Sequence, residues 1–257
     1  MTTFLSWKIF LLLIIAGINA AMAFFIYLRG REYKANMWYA RFLSVIALWS
    51  FLLSLFYYTE SDYPLLVITR LCYLTAIFIS PFFFIFAYYF LSEEKKMERK
   101  AKLALALPTF LLSGLVLFGN FIIDYVGYKD GVKTVFLNKY GYLPYIAYFS
   151  AFILLAYREL FKKYKNIAPF QKNKLLIIIF GTALPFIGGM IFSLIFPLFT
   201  FFKFMLVGPM FSVITAVVFI YAIIKYQILE IKLVSAEILT FAVWLILLIK
   251  IIFSPDT

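Results

Sequence analysis

Ionisable side chains within the long apolar stretches of this chain are confined to their ends: Arg70, Asp124, Glu237 and Lys250. An ionised group left unpaired in a bilayer costs several kcal/mol, so such a residue is a functional candidate by default. Arg70 lies one to two turns into its stretch and is expected either to snorkel outward or to pair with a ligand. Asp124 reads as the cap of a helix end, and Lys250 as an anchor. Asn19 is the one strong polar group at mid-depth, and a hydrogen bond to another helix is expected of it. Histidine is absent from the sequence. That removes every mechanism in which the chain supplies an imidazole as base, metal ligand or phosphoryl acceptor. An intramembrane metalloprotease would want H-E-x-x-H, and a serine site would want a histidine partner. A retinal protein would want a lysine midway along its last helix, and 207–224 has none. Proton pumps and ion-coupled transporters want carboxylates or paired charges at mid-depth, and the middles of the first seven stretches have none. No glycine-rich phosphate loop is present, and no metal or cofactor is expected. Cys72 is the only cysteine, so no disulfide forms within the chain.

Prolines are the next candidates. Pro81, Pro185, Pro197 and Pro209 lie in or beside apolar stretches. A proline inside a span frees a backbone carbonyl that neighbours must satisfy. A kinked region between the third, sixth and seventh stretches is therefore a candidate pocket. Asn19, Arg70, Pro81 and Pro185 form the set of candidate ligand or pairing residues. Against a pocket, proline and glycine are common in membrane helices anyway. Gly17 with Ala21, and Gly189 with Ser193, have the spacing that lets helices approach closely. The run Phe82, Phe83, Phe84, Phe86 and Phe90 is expected to face lipid.

The elements that carry these residues follow from composition and length. Hydrophobic residues make up 65% of the 257, and charged ones 14%. A soluble domain is roughly half apolar and a quarter charged, so this is a membrane protein. Spans of about 20 apolar residues are expected at 7–28, 38–58, 65–91, 103–123, 142–160, 175–197 and 207–224, with an eighth at 233–253. The first is too long for a signal-peptide core of about 7–15 residues. The polar, turn-rich link 124–141 contains Lys129-Asp130-Gly131, a tight-turn sequence. The links after spans one, three, five and seven carry 17 of the 24 basic residues, and the opposite side carries 6. By the positive-inside rule the N-terminus is outside and the basic links are cytoplasmic. The fold class is an all-α polytopic transmembrane bundle, seven spans plus an eighth hydrophobic helix. If the eighth stretch spans, the chain ends outside, which favours a missing return span.

The exit from span seven reads Tyr221-Ala222-Ile223-Ile224-Lys225-Tyr226-Gln227-Ile228-Leu229-Glu230-Ile231-Lys232-Leu233-Val234. With Ala47-Leu48-Trp49-Ser50 in span two and seven spans, it resembles the seven-transmembrane N-terminal region of bacterial sensor histidine kinases. The likeness covers roughly 28–234. Relatives often carry Asp where Glu230 stands. The resemblance implies a sensory and anchoring domain at 1–232. It implies a further helix at 233–257, the first half of a hairpin leading to a missing cytoplasmic kinase. Lys225, Tyr226, Glu230 and Lys232 would form the signal-relay junction. The implied setting is a bacterial inner (plasma) membrane, with a lipid bilayer, a homodimer and, through the kinase, a response regulator as partners. No nucleic acid is implied by the charge of +12, because the basic residues lie between spans. The chain alone is expected to have no enzyme activity. Two rival readings stand beside this one. A self-contained small transporter or lipid-handling protein would need a polar, water-accessible cavity that Asn19 helps to line. A membrane scaffold would dimerise through small-residue faces.

Overall fold

The structure, a computed structural model, describes residues 2–92, 96–129 and 131–226. Among them are seven long helices: α1 (Thr2–Gly30), α2 (Lys34–Tyr58), α3 (Asp62–Tyr89), α4 (Arg99–Phe118), α5 (Lys139–Asn166), α6 (Pro169–Met190) and α7 (Val207–Tyr226). All seven, α6 with its continuation to Leu198, are long and apolar enough to cross a membrane. The shortest, α4 and α7, have 20 residues each. At about 1.5 Å per residue they just cover the roughly 30 Å hydrocarbon layer. The eighth stretch, 233–253, lies outside the described residues, as do Glu237 and Lys250.

The link 124–141 is not a mere turn-rich connection. It contains a hairpin, β1 (Ile123–Lys129) and β2 (Val132–Leu137), paired antiparallel with Val126 opposite Val135 and Lys129 opposite Val132. β-Branched and aromatic residues at close spacing, with Asp-Gly between them, favour strands joined by a two-residue loop. Gly131 takes φ +73°, which that turn requires. Tyr125 and Phe136 stack across the pair with ring centroids 4.3 Å apart. The fourth helix therefore stops at Phe118, before Gly119, rather than reaching residue 123. Asp124 is an exposed strand residue, not a helix cap. Lysines 162, 163 and 165, expected in a link, belong to the last turns of α5.

Three helix C-termini are closed by cations carried on other elements. Lys133 of β2 donates to Phe56 O at 3.0 Å and to Thr59 O, at the end of α2. Lys163 of α5 donates to Ala87 O (2.9 Å), Tyr88 O (2.7 Å) and Phe90 O, at the end of α3. Arg70 of α3 donates to Leu117 O at 3.0 Å and to Asn120 Oδ1 at 3.0 Å, at the end of α4. Arg70 thus reaches outward to the end of α4, where its bond to Asn120 is exposed. The last carbonyls of a helix have no intrahelical donor and carry partial negative charge. Each cation answers both needs.

α2 and α3 are the most enclosed helices and α4 the least. The expected lipid-facing phenylalanines are instead largely core. Phe83, Phe86 and Phe90 are buried, with only Phe82 and Phe84 half-buried. Phe83 lies 4.5 Å from Phe186, and Phe86 5.0 Å from Tyr39, between ring centroids. Their spacing puts them on the α3 face that meets α2 and α6, which the run of five Phe residues alone does not reveal. The close approaches also differ from expectation. A Cβ on Gly17 or Gly189 would meet nothing within 4 Å. On Gly208 it would collide with Ser193 Oγ, and on Gly188 with the Phe211 ring. One residue rotates a helix face by about 100°, so Gly188, not Gly189, receives α7.

Candidate functional site

Past Met190 the sixth helix widens into a π turn, Ile191–Ile195, followed by an α turn at Phe196–Leu198. Pro197 has no N–H for the carbonyl of Ser193, four residues back, and its ring would clash with it. The wider turn relieves that conflict. The amide of Phe196 bonds the carbonyl of Ile191 instead, five residues back. Such turns are frequent at functional sites.

Inside this turn lies a cavity of about 90 Å³. α2 contributes Phe42, Ile46 and Trp49, and α3 contributes Cys72, Tyr73, Ala76 and Ile79. Tyr145 and Phe149 of α5, Pro185, Phe186, Gly189 and Met190 of α6, Ser193 and Leu194 of the π turn, and Gly208, Ser212 and Thr215 of α7 close it. These positions fall between the middle of the bundle and the end that carries the hairpin. Among the described residues no charged side chain lines the cavity. Tyr73 and Ser193 belong to the wall, and their hydroxyl oxygens are buried within it. Tyr142 Oη stands beside the Tyr73 hydroxyl and donates to Leu194 O in the π turn at 2.9 Å.

One face of α5 satisfies the irregular backbone around the cavity. Tyr142, Tyr145 and Tyr148 recur every three residues and are all buried. Tyr145 Oη donates to Tyr73 O at 3.1 Å. Tyr148 Oη donates to Ile77 O at 3.3 Å and shares a 2.8 Å hydrogen bond with Thr109 Oγ1. Ile77 O is the carbonyl that Pro81 deprives of its helical donor. Tyrosine is enriched at the membrane surface. The three-residue spacing from 142 to 148 was the signal that these belong inside.

The structure separates the four candidate residues. Pro185 lines the cavity directly. Asn19 is fully buried in α1, and its Nδ2 donates to Ile15 O (2.9 Å) and to Ser212 Oγ (3.0 Å) on α7, the expected bond between helices. It touches the cavity only through Ser212, whose hydroxyl donates to Pro209 O at 2.7 Å. Pro81 sits behind the wall and acts through Tyr148. Arg70 is remote, at the hairpin end. Of the relay residues, Lys225 and Tyr226 lie in α7, while Glu230 and Lys232 lie outside the described residues. Among the described residues no cluster of acidic or cysteine side chains could hold a metal ion.

Seven spans closing on a cavity frame the comparison with known families. The family model described as the N-terminal 7TM region of histidine kinase matches residues 11–232. The chain belongs to that family. It is a multi-pass membrane protein, and the histidine-kinase 7TM region is a membrane input region rather than a catalytic one. No curated protein and no solved structure matches the chain. The 7TM region covers α1 from Leu11, every later helix, the hairpin and the cavity, so the site lies wholly within the matched residues.

Proposed function

We propose that this 7TM region is the sensory input module of a two-component sensor histidine kinase in a bacterial inner membrane. The observation that carries the reading is the family match, which runs through all seven spans and past the end of α7 to residue 232. The N-terminus and the hairpin face outward, because the basic links all lie at the opposite end. The module covers 1–232, and 233–257 begins a further membrane hairpin toward a kinase core. Lys225, Tyr226, Glu230 and Lys232 relay the signal. The working unit is a homodimer, and a response regulator receives the phosphoryl group from the kinase.

The chain carries no histidine, so phosphotransfer belongs to residues beyond it. Reading the coding sequence past Thr257 should meet a phosphoacceptor histidine and ATP-binding glycine boxes. Membrane vesicles holding the encoded polypeptide should then label on histidine with γ-phosphate from ATP. A stop codon at 258 with no labelled species would refute the reading. The transporter alternative wants a polar cavity lined by Asn19, whereas the walls here are apolar and Asn19 is engaged with Ser212.

A further inference from the structure

We propose that the outer hairpin is a strap that holds the end of the sixth span in a strained turn, through a latch between Lys129 and Thr200. The strain is the first observation. Thr200 takes φ +64°, a left-handed backbone that L-residues avoid about tenfold and that a β-branched side chain tolerates worst. Its place in the chain is the second. The amide of Thr200 bonds Pro197 O at 2.9 Å, and that of Phe201 bonds Phe196 O at 3.0 Å. The rings of Phe196 and Phe201 meet edge-on with centroids 6.1 Å apart. Two such bonds and an apolar contact make up the helix-ending motif whose left-handed position is usually glycine. Threonine stands in that position here. The third observation is what threonine adds, a hydroxyl. Lys129, the last residue of β1, donates from Nζ to Thr200 Oγ1 at 2.6 Å. Glycine would offer no side-chain acceptor.

The hairpin is itself fixed elsewhere, because Lys133 of β2 donates to Phe56 O and Thr59 O at the end of α2. The strap therefore runs from α2 to the turn beyond α6. That turn is continuous with the cavity wall. Phe196 closes it with its carbonyl and bonds Ile191 O, in the π turn, with its amide. Leu194, between the two, lines the cavity. A strained residue persists only where its surroundings hold it, and such residues gather at switches. Without Lys129, Thr200 returns to an ordinary backbone. The amide bonds of residues 200 and 201 then break, and the turn around Phe196 loosens. Opening of the strap at the outer face is in this way transmitted to the cavity wall.

The strap goes beyond the sensory reading and does not rest on it, because its test needs no kinase. The 257-residue chain in lipid nanodiscs is followed by amide hydrogen exchange at single-residue resolution. Lys129→Met and Thr200→Val each remove the latch and keep the strain. In both, the amides of residues 200 and 201 should exchange roughly fivefold to tenfold faster than in the parent, the worth of one net hydrogen bond. The Phe196 amide should follow them. Thr200→Gly removes latch and strain together. Its turn should keep the parent's protection, and adding Lys129→Met should change that by less than about twofold, the limit for independent sites. The amides of Tyr33 and Met37, bonded at the opposite end of the bundle, should be unmoved in every variant. That separates release of the strap from general loosening. Unchanged exchange at 200 and 201 in Lys129→Met would overturn the proposal, since the latch would then hold nothing. So would an equal effect of Lys129→Met in the Thr200→Gly background, because strain at Thr200 would play no part. Faster exchange at 200 and 201 with Phe196 unchanged would overturn it too, because the opening would stop short of the cavity wall.

Discussion

Removing the Tyr148 hydroxyl should be costly only while Pro81 is present. Tyr148 Oη donates to Ile77 O at 3.3 Å, and that carbonyl lacks its helical donor because residue 81 is proline. Tyr148→Phe leaves the carbonyl buried and unanswered. Hydrogen bonds between membrane helices average about 0.6 kcal/mol and reach about 1.7. The 3.3 Å length argues for the lower part of that range. The orphaned carbonyl adds to it, since a buried unsatisfied acceptor costs about 1–3 kcal/mol. A loss of about 2 kcal/mol is the expected sum. Pro81→Ala restores an amide four residues after Ile77 and returns the carbonyl to the helix. In that background Tyr148→Phe should cost only what the bond to Thr109 is worth. The assay is a double-mutant cycle on reversible unfolding in bicelles. A coupling of about 1–1.5 kcal/mol is expected. Additivity within about 0.3 kcal/mol would show that Tyr148 does not serve the carbonyl freed by Pro81, and the account of the tyrosine face would fail with it.

Lys163→Met should destabilise the bundle by about 2 kcal/mol, the scale of a charged hydrogen bond offset by relief of a buried ammonium. Hydrogen exchange should rise first at the end of α3, whose carbonyls Lys163 caps, and unchanged exchange there would contradict the capping role. Lys133 gives a pH signature. Burial pulls its ammonium below the ordinary lysine value, against an opposing pull from Glu60. The unfolded chain then holds this proton to higher pH than the folded one, so stability rises with pH between the two values and is flat outside them. Relative to Lys133→Met, the parent should therefore gain stability as pH climbs through that alkaline interval. A relative loss would mean that the carbonyls of Phe56 and Thr59 grip the ammonium more strongly than burial loosens it.

The spans were legible because a bilayer imposes a length, and 18 or more apolar residues have few other uses. Their ends were less so. Apolar residues such as Phe121, Ile122 and Ile123 extend the fourth stretch on hydropathy, yet Gly119 ends the helix and Ile123 begins a strand. The buried face of α5 was present in the spacing of Tyr142, Tyr145, Phe149, Phe152, Ala156, Leu160 and Lys163, but tyrosine is also enriched at membrane surfaces and a lysine counts by type as a link residue. The cavity was legible only as a suspicion about prolines. Its position depends on which turn of α6 gives way, and that is set by Pro197 acting on the Ser193 carbonyl within a helix already packed against Gly208. The same geometry says which element should carry a signal under the proposed function. α7 supplies Gly208, Ser212 and Thr215 to the cavity wall, and Ser212 is tied to Asn19 of α1. Two turns on, Phe219 stacks on Tyr39 of α2 with centroids 4.0 Å apart. A shift of the wall therefore acts on a helix whose described part runs 20 residues to Tyr226, about 30 Å, and which is pinned to α1 at Ser212 and to α2 at Phe219. A small rotation at Ser212 is carried to that end because the helix between has no proline after Pro209 at which to absorb it.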